Sequence, residues 1–253
     1  MGRISLLAAL LVQSAVVPAQ FGPLLNTNQA PQAQSQEELD AYLAVYASAD
    51  PRFTVAMADQ FTSRYPRSEF LGLAYQCQMS AYQRLNDYEG VLRAGEKALA
   101  LVPENLNTLL TLAAVIPNGV TGRPDASRRL AQAETYARKA LSQLGDMKIP
   151  REIALEKWET MKAGMESDGH EALGHVSLKR GDLAGAIQEF RAAALGNPAP
   201  SGRQFLRLSS AYLLAGQKDA AEHAAERAAQ LSEGDLHRLA LEQLRTLREA
   251  KKK

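Results

Sequence analysis

Residues 169–175 read Gly-His-Glu-Ala-Leu-Gly-His, which places two imidazoles and a carboxylate within a few positions. Such groups serve a zinc hydrolase when the histidines stand four apart on a helix, about 400° of rotation, so that both rings meet one ion beside a general base. Here His170 and His175 stand five apart, about 140° away from eclipsed. One helix cannot aim both at one metal. His223 and His237 lie far along the chain, with no cysteine or carboxylate cluster at ligand spacing. No phosphate loop, dinucleotide fingerprint or nucleophile elbow occurs, and the carboxylates sit singly among Lys and Arg, as on a solvated helix face. The sequence therefore predicts no enzyme, no metal and no cofactor.

The elements that must position these residues are helices. From residue 37 onward apolar residues recur three or four apart, with no sustained alternation of the strand type. Leu39, Tyr42, Leu43 and Tyr46 form a first stripe, and Asp50-Pro51 supplies a cap and first-turn proline for a second helix ending near Tyr65-Pro66. Further on, Ala154, Trp158, Met161 and Met165 predict a long helix from Pro150 into the segment with the paired histidines, loosened at Gly164 or Gly169. A Met and Trp stripe at this spacing reads as core.

The first residues bear on compartment. A short basic start at Arg3, an apolar run from Ile4 to Val17 and the small-residue site Val17-Pro18-Ala19 predict a secretory signal peptide over residues 1–19, cut after Ala19. The run is too short to span a membrane, and no later stretch is long enough. This predicts a periplasmic or secreted protein. Residues 20–36, rich in Gln, Asn and Pro without periodicity, read as a disordered leader. The formal charge of +1 falls to zero when Arg3 is removed, and aromatic residues make up 6%, so the footprint of a nucleic-acid binder is missing. The single cysteine, Cys77, can form no intrachain disulfide and reads as a small buried or groove-facing residue.

Residues 170–198 and 205–233 align as two copies of one helix-turn-helix unit. Leu173 meets Leu208, Gly181 meets Gly216, Ala186 meets Ala221 and Ala193 meets Ala228, each pair 35 residues apart. The order of residue types resembles the tetratricopeptide repeat: Leu173-Gly174, Ala186-x3-Phe190, Ala193 and Pro198 fall in register, as do Phe205, Leu208, Tyr212, Ala221 and Ala228. His170 and Ser177 stand where aromatics are usual, Ser209 at a glycine place and Ala225 at an aromatic place. The opening heptapeptide is thus a first helix, with Leu173 filling the space between helices and Gly174 allowing close approach. Upstream, Tyr75, Tyr82, Asp87-Tyr88, Ala98 and Pro103 make a further match, although Gln78-Met79 replaces Leu-Gly and Gly95 replaces an aromatic. Leu112-Ala113 pairs with Ala133, Ala137 and Ala140 across an extended loop over residues 117–127.

The resemblance implies an all-α, right-handed solenoid. Its parts are a degenerate helical pair over residues 37–67, two units over 68–144, a long connecting helix over 145–169, two well-matched units over 170–233 and a capping helix with a basic tail over 234–253. Leu236, Leu239, Ala240, Leu244 and Leu247 make the apolar face of that cap, which a repeat stack needs to close its end. The arrangement is similar to exported bacterial repeat proteins of unassigned function that share a tryptophan helix before a His-Glu-Ala-Leu-Gly-like start. In such repeats first helices line an inner groove, which implies a peptide-binding face with Gln76 and Arg84, then Glu171, His175 and Lys179, then Arg203 and Arg207; Cys77, Ser80, Leu178, Leu206 and Ser210 share it. Arg203 and Arg207 project together, and with Lys179 they predict positive charge suited to an acidic peptide or helix of a protein partner. The resemblance implies a protein-interaction scaffold, with an accessory role in assembling an outer-membrane complex as the alternative.

Overall fold

The computed structural model describes residues 4–5, 31–149 and 153–251. The signal-peptide segment therefore lies outside the described residues except Ile4–Ser5, which pairs antiparallel with Gln32–Ala33. The end of the stretch read as leader belongs to the fold. Ala33 is fully buried, and the Ser35 hydroxyl accepts the Glu38 N–H at 3.2 Å while the Glu38 carboxylate takes the Gln34 N–H at 2.6 Å. The first of these bonds satisfies a donor that the first turn of a helix leaves open, and the second ties the incoming chain to that turn.

The chain is all helical, with eleven helices among the described residues, and it divides into two compact units at Val115 and Ile116. The first unit holds α1 (Gln36–Ala47), α2 (Pro51–Arg64), α3 (Leu71–Arg84), α4 (Tyr88–Leu101) and α5 (Leu106–Val115). Besides that of α1, three of these starts have a side-chain cap. Asp50 accepts the Arg52 N–H with Pro51 in the first turn, Asp87 accepts the Gly90 N–H, and Asn105 accepts the Thr108 N–H. Successive helices contact one another, and α1, α2 and α3 share a core around Leu39, Tyr42, Val45, Phe61, Phe70 and Leu73.

Both departures from the repeat pattern in this unit have compensations. Gly95 receives Leu112 of α5, whose side chain would lie 2.7 Å from a Cβ built there, so the apolar filling comes from the next helix. Gln78, buried where leucine is usual, donates to Asp59 Oδ1 at 2.7 Å. One polar atom in this core is costly. The Tyr42 ring stacks on Phe70 with centroids 4.6 Å apart, but its hydroxyl is buried without a hydrogen-bond partner. A buried unsatisfied hydroxyl costs about 1–3 kcal/mol. Tyr42→Phe should therefore raise stability by about 1 kcal/mol or more in a urea titration, and a loss of stability would mean that the hydroxyl is bonded.

The second unit opens with a 3-10 turn, Ile116–Gly119, followed by α6 (Ala126–Asp146), α7 (Leu155–Arg180), α8 (Leu183–Gly196), α9 (Gly202–Leu214), α10 (Lys218–Gln230) and α11 (Gly234–Lys251). The connecting helix and the first helix of the following repeat form one element, α7. It begins at Leu155, runs 26 residues and is interrupted at neither Gly164 nor Gly169. Pro150 lies outside the described residues. Trp158 is buried as core, and Gly169 is a contact point, with Leu141 of α6 against it.

Polar groups also tie the repeats of this unit together. Ser167 donates to the Ala193 carbonyl at 2.8 Å and accepts from Gln204, which also closes the capping box of α9 with Ser201. On α11, Ala240, Leu244 and Leu247 are buried and Gln243 donates to Ser209 at 2.8 Å, which makes it the cap. Leu239, placed on the apolar face from the sequence, is 53% exposed: the stripe runs four, three and four apart from Leu236 through Ala240, Gln243 and Leu247, and Leu239 falls beside it. Arg248 of the tail is held by Glu222 at 2.8 Å and Glu226 at 2.7 Å. Among the described residues no helix is long and apolar enough to cross a membrane.

Candidate binding site

In the first unit the α3 residues marked by the sequence come together. Gln76, Cys77, Ser80, Ala81 and Arg84 share one side of α3 and line an open cleft of about 180 Å³ with Val45, Tyr46, Ser48 and Thr54 from α1, α2 and the turn between them. Arg84 donates to the Ala49 carbonyl at 2.5 Å, which fixes it at one end of the cleft. Gln76 accepts from Asn105 Nδ2 at 2.6 Å, so its amide oxygen is committed. Thr54 donates to the Asp50 carbonyl at 2.9 Å, and Ser48 to the same oxygen at 3.2 Å. Burial pushes the Cys77 thiol up to about 12 and raises the Tyr46 phenol, so both stay protonated at neutral pH.

The second unit gathers the other candidates on α7 and α9. Glu171 and Arg207 form an ion pair across the two helices. Desolvation lowers Arg207 and raises Asp168, while Arg203 and Arg207 pull Asp168 back down by their charge. The wall expected to be positive thus carries its own counter-charges. Lys179 donates to Thr121 Oγ1 at 3.1 Å. Arg203 is exposed. Of the two histidines in the opening heptapeptide, His170 Nδ1 meets Glu189 Oε2 at 2.8 Å and His175 sets its ring edge-on to Phe190, centroids 5.1 Å apart. Among the described residues no group of three His, Cys, Asp or Glu is placed to hold a metal.

His175 has a pH signature. Burial lowers its pKa and the Lys179 charge lowers it further, so the unfolded chain takes up the proton first as pH falls. The neutral ring's contribution is present above the unfolded value of about 6.5 and is lost progressively as pH drops below it. Wild type should therefore lose more stability between pH 7.5 and pH 5 than His175→Gln does, read as paired thermal melts. Equal losses would show that the ring is not desolvated.

Sequence reading missed Tyr46, Ser48 and Thr54 as cleft residues, because the first repeat is degenerate and offered no register. The Tyr42 and Tyr46 stripe was the available signal, since positions four apart on α1 share a face.

No protein-family model and no curated protein matches the chain. Solved structures do. PilW, a widely conserved type IV pilus biogenesis factor, is 18% identical with a TM-score of 0.56, over 85% of this chain and 90% of that chain. TTC0263, a thermophilic tetratricopeptide protein in Thermus thermophilus, is 16% identical with a TM-score of 0.56, over 83% of this chain and 98% of that chain. Acl4, the assembly chaperone of RpL4, is 14% identical with a TM-score of 0.56, over 77% of this chain and 74% of that chain. At these identities the likeness is one of fold, and the fold is the helical-repeat solenoid of tetratricopeptide proteins.

Proposed function

We propose that this tetratricopeptide-fold chain is a non-enzymatic protein-interaction scaffold of the bacterial periplasm, which holds an extended segment or helix of another exported protein along its first helices. The observation that carries the reading is the cleft between α1 and α3, where Gln76, Cys77, Ser80 and Arg84, marked from repeat register alone, line one concavity with Tyr46 and Ser48. Fixed donors beside apolar positions suit an extended peptide, whose carbonyls need partners while its side chains need pockets. In the second unit Glu171, His175, Lys179, Arg203 and Arg207 make a separate candidate face, with Glu171 to be displaced before Arg207 can serve a ligand.

A second reading is an accessory subunit that assembles an outer-membrane complex. It is favoured by the fold likeness to PilW, a type IV pilus biogenesis factor. Affinity purification from cross-linked envelopes separates the two. The scaffold reading expects one stoichiometric soluble partner, whereas co-fractionation with outer-membrane proteins alone supports the accessory role. The same preparation tests export: mass spectrometry should find a mature chain beginning at Gln20, and an intact Met1 terminus would contradict a periplasmic location.

A further inference from the structure

The polar atoms of the α1–α3 cleft are unequally divided between donors and acceptors. Gln76 has its amide oxygen accepting from Asn105, so what its side chain has left to offer a ligand is the Nε2 donor group. Arg84 spends one N–H group on Ala49 and keeps the rest of its guanidinium fork. Ser80 is exposed and adds a hydroxyl. No lining residue is a carboxylate, so the cleft carries a single positive charge. Val45 and Ala81 are buried and give an apolar wall beside these groups. At about 180 Å³ the space is smaller than the roughly 300–1,000 Å³ of small-molecule sites and suits one side chain.

We infer that this cleft is the specificity pocket for a glutamate side chain within the bound protein segment, its methylenes against Val45 and Ala81 and its carboxylate on Arg84, Ser80 and the Gln76 amide. A planar guanidinium is matched to a carboxylate by its paired parallel donors, and the hydroxyl and amide satisfy the remaining lone pairs. The selective element for acidic partners therefore lies in the first unit, because in the second Glu171 already pairs with Arg207, and Asp168 is near enough to Arg203 and Arg207 to feel their charge. The inference rests on the scaffold reading above and makes it specific.

The probes are two short alanine–serine peptides, acetylated and amidated so that no terminal charge remains, one with a central glutamate and the other with glutamine. NMR titration of the folded protein should show the glutamate peptide shifting signals of Gln76, Ser80 and the Arg84 side chain, with affinity about tenfold or more above the glutamine peptide. Arg84→Gln retains a donor for the Ala49 carbonyl, and Ser80→Asp places a like charge in the cleft at an exposed position. Each should abolish the glutamate preference with thermal melts unchanged. Equal affinities for the two peptides, or a preference that survives both substitutions, would overturn the pocket. A glutamate peptide that perturbs only the surroundings of Arg203 and Arg207 would also overturn it while leaving a first-helix scaffold standing. Absence of shifts on α3, α7 and α9 alike would remove both.

Discussion

Phe190→Ala is expected to destabilise the second unit by about 3–5 kcal/mol, the range for a buried aromatic truncated to alanine. The upper part of that range applies because the site has little means of collapsing. Phe190 is 1% exposed and lies over Gly174, where a built Cβ would come within 2.6 Å of the ring, while His175 meets its edge. With no side chain at Gly174, nothing from that part of α7 can fill the void. Hydrogen exchange resolved over residues 116–251 is the suitable readout, because repeat arrays need not unfold in one step. The same geometry predicts coupling. Gly174→Ala should cost about 1–3 kcal/mol by overpacking in the wild type and less in a Phe190→Leu background, where the clash is relieved. Additive effects would mean that ring and glycine are not in contact.

Leu173→Ala should cost about 2–5 kcal/mol, since Leu173 is 5% exposed on α7, which packs against both α6 and α8. His170→Gln provides the contrast. Glutamine can still bond Glu189 on this half-exposed surface, and the change should fall within about 0.5 kcal/mol. Denaturant titrations of the two variants would thus separate a packing role for this heptapeptide from a chemical one. A mild Leu173→Ala together with a severe His170→Gln would reverse the assignment.

The well-matched repeats were legible because their signature positions are packing positions. Leu173, Ala186, Phe190 and Ala193 are all buried, as are Phe205, Leu208, Ala221 and Ala228. The earlier repeats were fainter because their core is filled by exchange between helices: Leu112 reaches Gly95, and Gln78 is satisfied by Asp59. Propensity could not place the start of α7, where Ala154 caps without a side-chain bond. Charge at the candidate site was read incompletely for a different reason. Arg203 and Arg207 were read along their own helix, whereas Glu171 reaches Arg207 from the previous first helix, 36 residues earlier. The contacts of Ser167 with Gln204, Arg84 with Ala49 and Gln243 with Ser209 have similar separations of 37, 35 and 34 residues. The repeat period itself therefore points to the cross-repeat partners of groove residues, and a reading one period away from Arg207 would have paired it with Glu171, which was placed on the same face.

The central claim is that first helices, and the α1–α3 cleft in particular, receive a protein partner. The most direct test is site-specific photo-cross-linking in living cells, with the reactive group placed either at Ser80 in the cleft or at Arg93, exposed on the second helix α4. The account predicts one discrete cross-linked protein from position 80, diminished by Arg84→Gln, and none from position 93. A product from position 93 alone, or one from position 80 that is indifferent to Arg84, would contradict it.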